Sequence, residues 1–87
     1  MTSIKPIYTA LIPGELDDGI LYISKEYQCA IHLCCCGCGR EVVTPLDQKG
    51  WKLTEKDGMV TLSPSIGSFN LPCRSHYFIR NDDVVWC

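Results

Sequence analysis

Short apolar runs alternate with turn signals along this chain, and such a pattern predicts strands. In the first half, the predicted strands cover residues 7–12, 20–23, 29–33 and 41–46. Pro13-Gly14 closes the first run, and Asp17-Asp18-Gly19 precedes the second. No stretch has a convincing period of 3.6 residues, although residues 23–33 leave room for a short helical turn. The pattern therefore predicts a mainly β protein.

A hairpin is predicted around Asp57-Gly58, because a type I′ turn needs φ above zero at both central positions. Pairing outward from this turn sets Leu53 opposite Leu62 and Glu55 opposite Val60. One face of the hairpin then carries apolar side chains, and we expect that face to be buried. Its members are Trp51, Leu53, Val60 and Leu62.

A second hairpin is predicted to turn at Asn81-Asp82. Outward pairing sets Ile79 opposite Val84, and Tyr77 opposite Trp86. Together, the two hairpins and the earlier runs predict a small all-β domain with short antiparallel hairpins, similar to a zinc ribbon.

The chain has 87 residues, which predicts a single domain (1–87) with a small core. Domains of this size commonly need a metal, disulfides or a partner to stay folded. The net charge is −2 and the Lys and Arg residues are scattered, which weighs against nucleic-acid binding. No apolar run approaches the roughly 20 residues that cross a membrane, and the first residues lack a secretory signal, so we expect a cytoplasmic protein.

Seven cysteines in so short a chain indicate a metal site or a disulfide framework. In a cytoplasmic protein the thiols stay reduced. An odd count, with Cys34, Cys35 and Cys36 adjacent, also suits disulfides poorly. The pattern therefore favours a metal.

Zinc takes four tetrahedral ligands, and structural sites commonly draw them from two separated loops. The first half-site lies within residues 32–39, and the second is Cys73-Arg74-Ser75-His76. Gly37 and Gly39 suit a knuckle, because glycine accepts the φ > 0 positions of a sharp turn.

The choice of ligands is less sharply determined than the presence of a site. We rank Cys38 and Cys73 first and Cys36 next, and either Cys34 or His76 completes the four. The predicted all-sulfur set is therefore Cys34, Cys36, Cys38 and Cys73, with Cys35 as the main alternate.

The remaining thiols and the other histidine have simpler interpretations. Cys29 is expected to be a buried strand residue, and Cys87 a terminal one. His32 is expected to be a strand residue whose ring is hydrogen-bonded.

The loop at residues 63–70 is rich in serine and also holds a proline and a glycine. It is either an ordinary polar loop or the site of a nucleophile, Ser65. A serine nucleophile needs a base within hydrogen-bonding reach and donors for the oxyanion. His76 can be that base if sulfurs fill the metal site, and His32 is the other histidine. Backbone N–H groups near Ile66 and Gly67 are candidate donors.

A zinc hydrolase is a further catalytic possibility. It needs an open coordination position and a nearby carboxylate base, for which Glu41 is the nearest candidate. Sulfur-rich zinc sites are usually structural, which weighs against this alternative.

Several motifs together resemble one family of short bacterial proteins, the BubE family of ubiquitin-like (Bub) conjugation operons. They begin with His32-Leu33-Cys34-Cys35-Cys36-Gly37-Cys38-Gly39 and end with Pro72-Cys73-Arg74-Ser75-His76-Tyr77-Phe78-Ile79. Between them, and on either side, the matching segments are residues 19–24, 42–46, 50–54, 64–67 and 84–86. The resemblance thus covers nearly the whole chain.

The resemblance implies a zinc-binding peptidase that trims or releases a ubiquitin-like modifier. It points to Ser65 as nucleophile and His76 as its partner, and to a ubiquitin-like protein or its conjugates as partner. The resemblance also suggests a role in antiphage defence. Relatives occur outside such operons too, in phage and mobile elements, so membership of the family does not by itself establish the pathway. An extended substrate tail can add as a strand to a sheet edge.

The sequence is also compatible with two other functions. One is a non-catalytic zinc ribbon that docks a partner protein through exposed aromatic residues, namely Tyr77, Phe78 and Trp86. The other is a nucleic-acid-binding ribbon, which the acidic charge balance disfavours.

Overall fold

Eight strands form two four-stranded sheets in the computed structural model, which describes residues 3–67 and 74–87. The first sheet consists of β1 Lys5–Tyr8, β2 Ile20–Ser24, β3 Cys29–Leu33 and β4 Glu41–Pro45, in that order. The second consists of β5 Lys52–Lys56, β6 Met59–Gly67, β7 His76–Arg80 and β8 Asp83–Trp86. The described residues include no helix, so the prediction of an all-β fold is confirmed.

The second sheet is a meander whose two hairpins have the predicted registers. Leu53 pairs with Leu62 around Asp57-Gly58, where φ is 53° and 78°. Tyr77 pairs with Trp86 around the Asn81-Asp82 turn. Both turns have positive φ at their two central residues, which matches the right-handed twist of the flanking strands.

The first sheet departs from a simple set of antiparallel hairpins. β1 pairs with β2 in parallel, with Lys5 opposite Ile20, so residues 9–19 must carry the chain back to the start of the sheet. β1 also starts and ends earlier than the predicted strand at 7–12. The Thr9 N–H makes the last bond to Ile23, and the Thr9 hydroxyl then donates to the Leu11 carbonyl at 2.7 Å, which turns the chain away.

One core lies between the sheets and draws on both. Alternate residues of β6 and β7 face it, as the period of a strand requires. Its fully buried members include Leu21, Ile23, Ala30, Val60, Leu62, Ile66, Tyr77 and Ile79. Trp51 and Leu53 pack against this cluster while half-buried, so the predicted apolar face of the first hairpin does meet the core.

We expect Leu62→Ala to lower the free energy of unfolding by about 2–5 kcal/mol, because it removes a side chain that is 1% exposed from the centre of this core. Leu11→Ala is the matched control. Leu11 is 70% exposed, and its truncation should change stability by less than about 0.5 kcal/mol. Urea denaturation followed by tryptophan fluorescence measures both, and equal losses would contradict the assignment of the core.

Candidate functional site

The chain between β3 and β4 forms a tight cysteine-rich loop, which we call the knuckle (residues 34–40). The Cys34 N–H donates to the Arg40 carbonyl at 2.8 Å, and the Gly37 N–H donates to the Cys34 carbonyl at 3.0 Å. Gly37 and Gly39 have φ values of 88° and 79°. Side chains rarely adopt this backbone region, so the two glycines let the knuckle turn sharply as predicted.

Three sulfurs meet at the knuckle. The Sγ atoms of Cys34, Cys36 and Cys38 all lie within 4.8 Å of one another, with 3.5 Å between those of Cys34 and Cys36. Cys34 is buried, whereas the other two side chains are exposed. Soft thiolates at such spacing can hold a metal ion, and they are the ligands that zinc prefers in structural sites. The other predicted ligand, Cys73, lies outside the described residues.

The pKa values of the Cys36 and Cys35 thiols are shifted in opposite directions. A hydrogen bond with Ser75 is the main cause that lowers the pKa of the Cys36 thiol to about 6, which favours the metal-binding thiolate. Burial raises the pKa of the Cys35 thiol to about 11. Cys35 is hydrogen-bonded to Tyr77 and does not belong to the group of three sulfurs.

Tyr77 lies at the centre of a buried polar network. Its hydroxyl oxygen is 2.6 Å from Nε2 of His32, and it is also hydrogen-bonded to Cys35. Burial lowers the pKa of His32 to about 4, so the imidazole is neutral at physiological pH. His32 is thus a strand residue as predicted, but its buried Nδ1 has no hydrogen-bond partner among the residues that the structure describes.

The prediction that Tyr77 is an exposed docking aromatic is wrong. Its side chain is fully buried, because β7 alternates between the two faces of the sheet and Tyr77 faces the core. Trp86 contacts the Tyr77 ring edge-on at 5.1 Å and remains 44% exposed, and Phe78 is half-buried.

His76 lies on the opposite face of β7 from Tyr77, and there it is in direct contact with Ser65 of β6. The Ser65 Oγ lies 2.7 Å from His76 Nε2, and both side chains are half-buried. His76 pairs with Gly67, which makes Ser65 and His76 diagonal neighbours on one face of an antiparallel pair.

A bulge sets the position of Ser65. The β6–β7 register shifts between Leu62 and Ile66, so Ser65 lies within an irregular stretch that also includes Pro64. Proline cannot donate to the strand ladder, and bulges are common beside active sites, where they redirect a side chain. The loop predicted at 63–70 is therefore, up to Gly67, the end of a strand.

The two candidate half-sites meet through residues adjacent to His76. Ser75 is hydrogen-bonded to Cys36, and Tyr77 to Cys35 and His32. We did not single out Ser75 and Tyr77 from the sequence for these roles. The alternation of side chains along β7 was the available signal, because it places both neighbours of His76 on the strand face opposite to His76.

The remaining candidate ligands and bases lie outside the group of three sulfurs. His76 and Glu41 do not belong to the group of three sulfurs, and Glu41 is exposed at the start of β4. Cys29 is half-buried rather than buried, at the first position of β3, and Cys87 is exposed. In the described part of the chain, no helix is long and apolar enough to cross a membrane.

The fold and these clusters define a small all-β protein with a potential thiolate metal site and a hydrogen-bonded serine–histidine pair. The family model described as "Bacterial ubiquitination-like system serine protease (BubE)" matches residues 8–87. The chain belongs to this family, which confirms the resemblance noted in its motifs. No curated protein and no solved structure matches it.

We expect metal analysis to find zinc in the wild-type protein and in Cys87→Ala, and to find it lost from Cys38→Ala. Both cysteines are exposed, but only Cys38 belongs to the cluster. A chelator should also lower the melting temperature of the wild type sharply, because metal binding to the folded state contributes folding energy. An unchanged melting temperature after complete removal of metal would argue against a structural metal.

We expect Tyr77→Phe to lower the free energy of unfolding by about 1–3 kcal/mol, because it leaves buried groups of His32 and Cys35 without their hydrogen-bond partner. Tyr27→Phe is the matched control, since that side chain is 61% exposed. Chemical denaturation at neutral pH measures both changes, and similar values for the two variants would refute the network.

Proposed function

We propose that this protein is a peptidase that cleaves at the C-terminal tail of a ubiquitin-like modifier or of its conjugates. Ser65 is the nucleophile and His76 is the general base in this proposal. A zinc ion held by Cys34, Cys36, Cys38 and Cys73 stabilises the fold. Membership of a family of serine proteases from a bacterial ubiquitination-like system supports the reaction class.

The contact between Ser65 Oγ and His76 Nε2 is the observation that carries the proposal. At 2.7 Å it falls within the 2.6–3.2 Å over which a base can take the proton of a nucleophile. His32 is a poor alternative, because it is fully buried and its Nε2 is hydrogen-bonded to Tyr77. A surface serine would not need a histidine partner, so the pairing favours chemistry over an ordinary polar loop.

The reaction follows from these two groups. Ser65 Oγ attacks the carbonyl carbon of the scissile amide, and its proton passes to His76 Nε2. The resulting oxyanion collapses, the carbon–nitrogen bond breaks, and His76 returns the proton to the departing amine. Water then attacks the Ser65 ester, again losing a proton to His76. The ester bond breaks, the acid leaves, and Ser65 recovers its proton.

The Gly67 N–H is a candidate donor to the oxyanion. The His76 carbonyl accepts from the Cys87 N–H, so the backbone groups of His76 face β8. In an antiparallel ladder, the paired Gly67 groups then face the other side of β6, and those of Ile66 face β7. β5 does not extend that far, because it begins at Lys52, opposite Ser63.

The donor set of the knuckle fits a structural zinc ion, since thiolates are soft ligands and sulfur-rich sites are generally closed. When bound, the ion would stabilise the knuckle. The residues of this chain carry out the chemistry, and the knuckle supports them through Ser75 and Tyr77, which flank His76.

A ubiquitin-like tail suits the site because it is extended, and β5 and β8 are the edge strands of the second sheet. β8 lies next to the strand of His76, and β5 next to the strand of Ser65. A tail that adds along such an edge gains main-chain hydrogen bonds, and pockets beside it then read its side chains.

We expect Ser65→Ala to lower kcat by a factor on the order of 10⁴–10⁶, because it removes the nucleophile. The assay follows cleavage of a ubiquitin-like protein of a bacterial ubiquitination-like system, fused at its C-terminus to a reporter. Ser3→Ala, at an exposed serine outside the site, serves as the control and should retain full activity.

His76→Ala should also be inactive but should keep its zinc, because His76 contacts Ser65 and does not belong to the sulfur cluster. Loss of zinc from this variant would make His76 a ligand and remove it as the base. Stable capture of the modifier without turnover by the wild type would support the non-catalytic binding module instead.

A further inference from the structure

An open cleft lies between the loop that follows β4 and the edge strand β5. Its volume is about 670 Å³, within the range of small-molecule and side-chain pockets. Leu46, Trp51 and Leu53 supply apolar surface to it, Lys52 adds a cation, and Ser63 forms its boundary in β6.

We infer that this cleft is a specificity subsite that takes a bulky apolar side chain of the substrate, within two residues of the scissile bond. The inference rests on the proposed function, because it assigns the cleft to a peptide whose scissile carbonyl lies at Ser65.

Position is the first argument. Ser63, which lines the cleft, precedes Ser65 by two residues in β6, so their Cα atoms are at most about 7 Å apart. Side chains on one side of an extended peptide repeat every two residues, over a similar distance. A substrate whose carbonyl lies at Ser65 can therefore place a nearby side chain in the cleft.

The lining is the second argument. Leu46, Trp51 and Leu53 are half-buried and pack against the core, so they form a fixed apolar wall that is still partly open to solvent. An apolar side chain of the substrate would remove this surface from water, which favours binding in proportion to the area covered.

The third argument is that the cleft is already formed. The Trp51 N–H donates to the Pro45 carbonyl at 2.8 Å, and the Lys49 N–H donates to the Asp47 carboxylate at 2.9 Å. At Gly50 a Cβ atom would overlap the Pro45 carbonyl oxygen, so only glycine lets the loop close this tightly. Because the cleft is already ordered, substrate binding does not cost the conformational entropy of forming it.

The test begins with a library of synthetic peptides of diverse sequence, whose cleavage sites are read by mass spectrometry. Cleaved peptides should be enriched in Leu, Ile, Met or Phe at one position within two residues of the cut. Paired peptides with Leu or Ala at that position, built on the best-cleaved sequence, then give kcat/KM values.

Gln48→Trp fills the cleft from its exposed loop wall, and Lys52→Trp fills it from β5. Either variant, once an unchanged melting temperature shows that it is folded, should lower kcat/KM for the Leu peptide about tenfold or more. Cleavage of the Ala peptide should change little. Leu11→Trp introduces an indole at an exposed position outside the cleft, and both peptides should be cleaved as by the wild type.

Two outcomes would overturn the inference in distinguishable ways. If the wild type cleaves peptides in a Ser65-dependent manner but shows no apolar preference, or if the filled variants slow both peptides alike, the subsite fails and the peptidase stands. If the wild type cleaves no peptide and a fluorophosphonate probe fails to label Ser65, the proposed function fails and the subsite falls with it.

Discussion

The attachment of β7 to the cysteine knuckle is the interaction on which the rest of this structure depends. Ser75 and Tyr77 are hydrogen-bonded to Cys36 and Cys35, and His76 lies between them. These bonds join the two sheets where the core also contains the buried Tyr77–His32 contact. A histidine held on both sides by its neighbours has little freedom to leave Ser65, as the proposed reaction requires.

The period of two in a strand lets one short segment perform two tasks. Ser75 and Tyr77 face inward, toward the sulfurs and the core, while His76 faces outward, toward Ser65. A potential metal site and a potential catalytic pair can therefore share three consecutive residues without competing for the same side chain.

A chain of 87 residues has little core with which to hold such a site. The buried cluster draws side chains from both sheets, and the knuckle lies at its margin, where Cys34 is itself a buried member. A metal bound there would add folding energy at the point where β3, β4 and β7 meet. The bulge in β6 redirects Ser65 within a strand, so no additional loop is needed to position it.

Local chemistry was enough to predict much of this protein. The Asp57-Gly58 and Asn81-Asp82 turns determined two registers correctly, because turn geometry and strand alternation are local properties. The glycines of the knuckle and the alternation of Cys34, Cys36 and Cys38 likewise predicted a sulfur cluster. The parallel pairing of β1 with β2 could not be predicted, because it depends on where the long connection between the two strands brings the chain back to the sheet.

The tertiary structure alone decided which distant side chains meet. Nothing local distinguishes His76 as a zinc ligand from His76 as the partner of Ser65; the β6–β7 register and its bulge bring the two together. Burial likewise turned Tyr77 from an expected surface aromatic into the centre of a hydrogen-bonded network. The sequence by itself determined the strands, the turns and the set of reactive residues. Their partners were decided by packing, because contacts across two sheets depend on the whole chain at once.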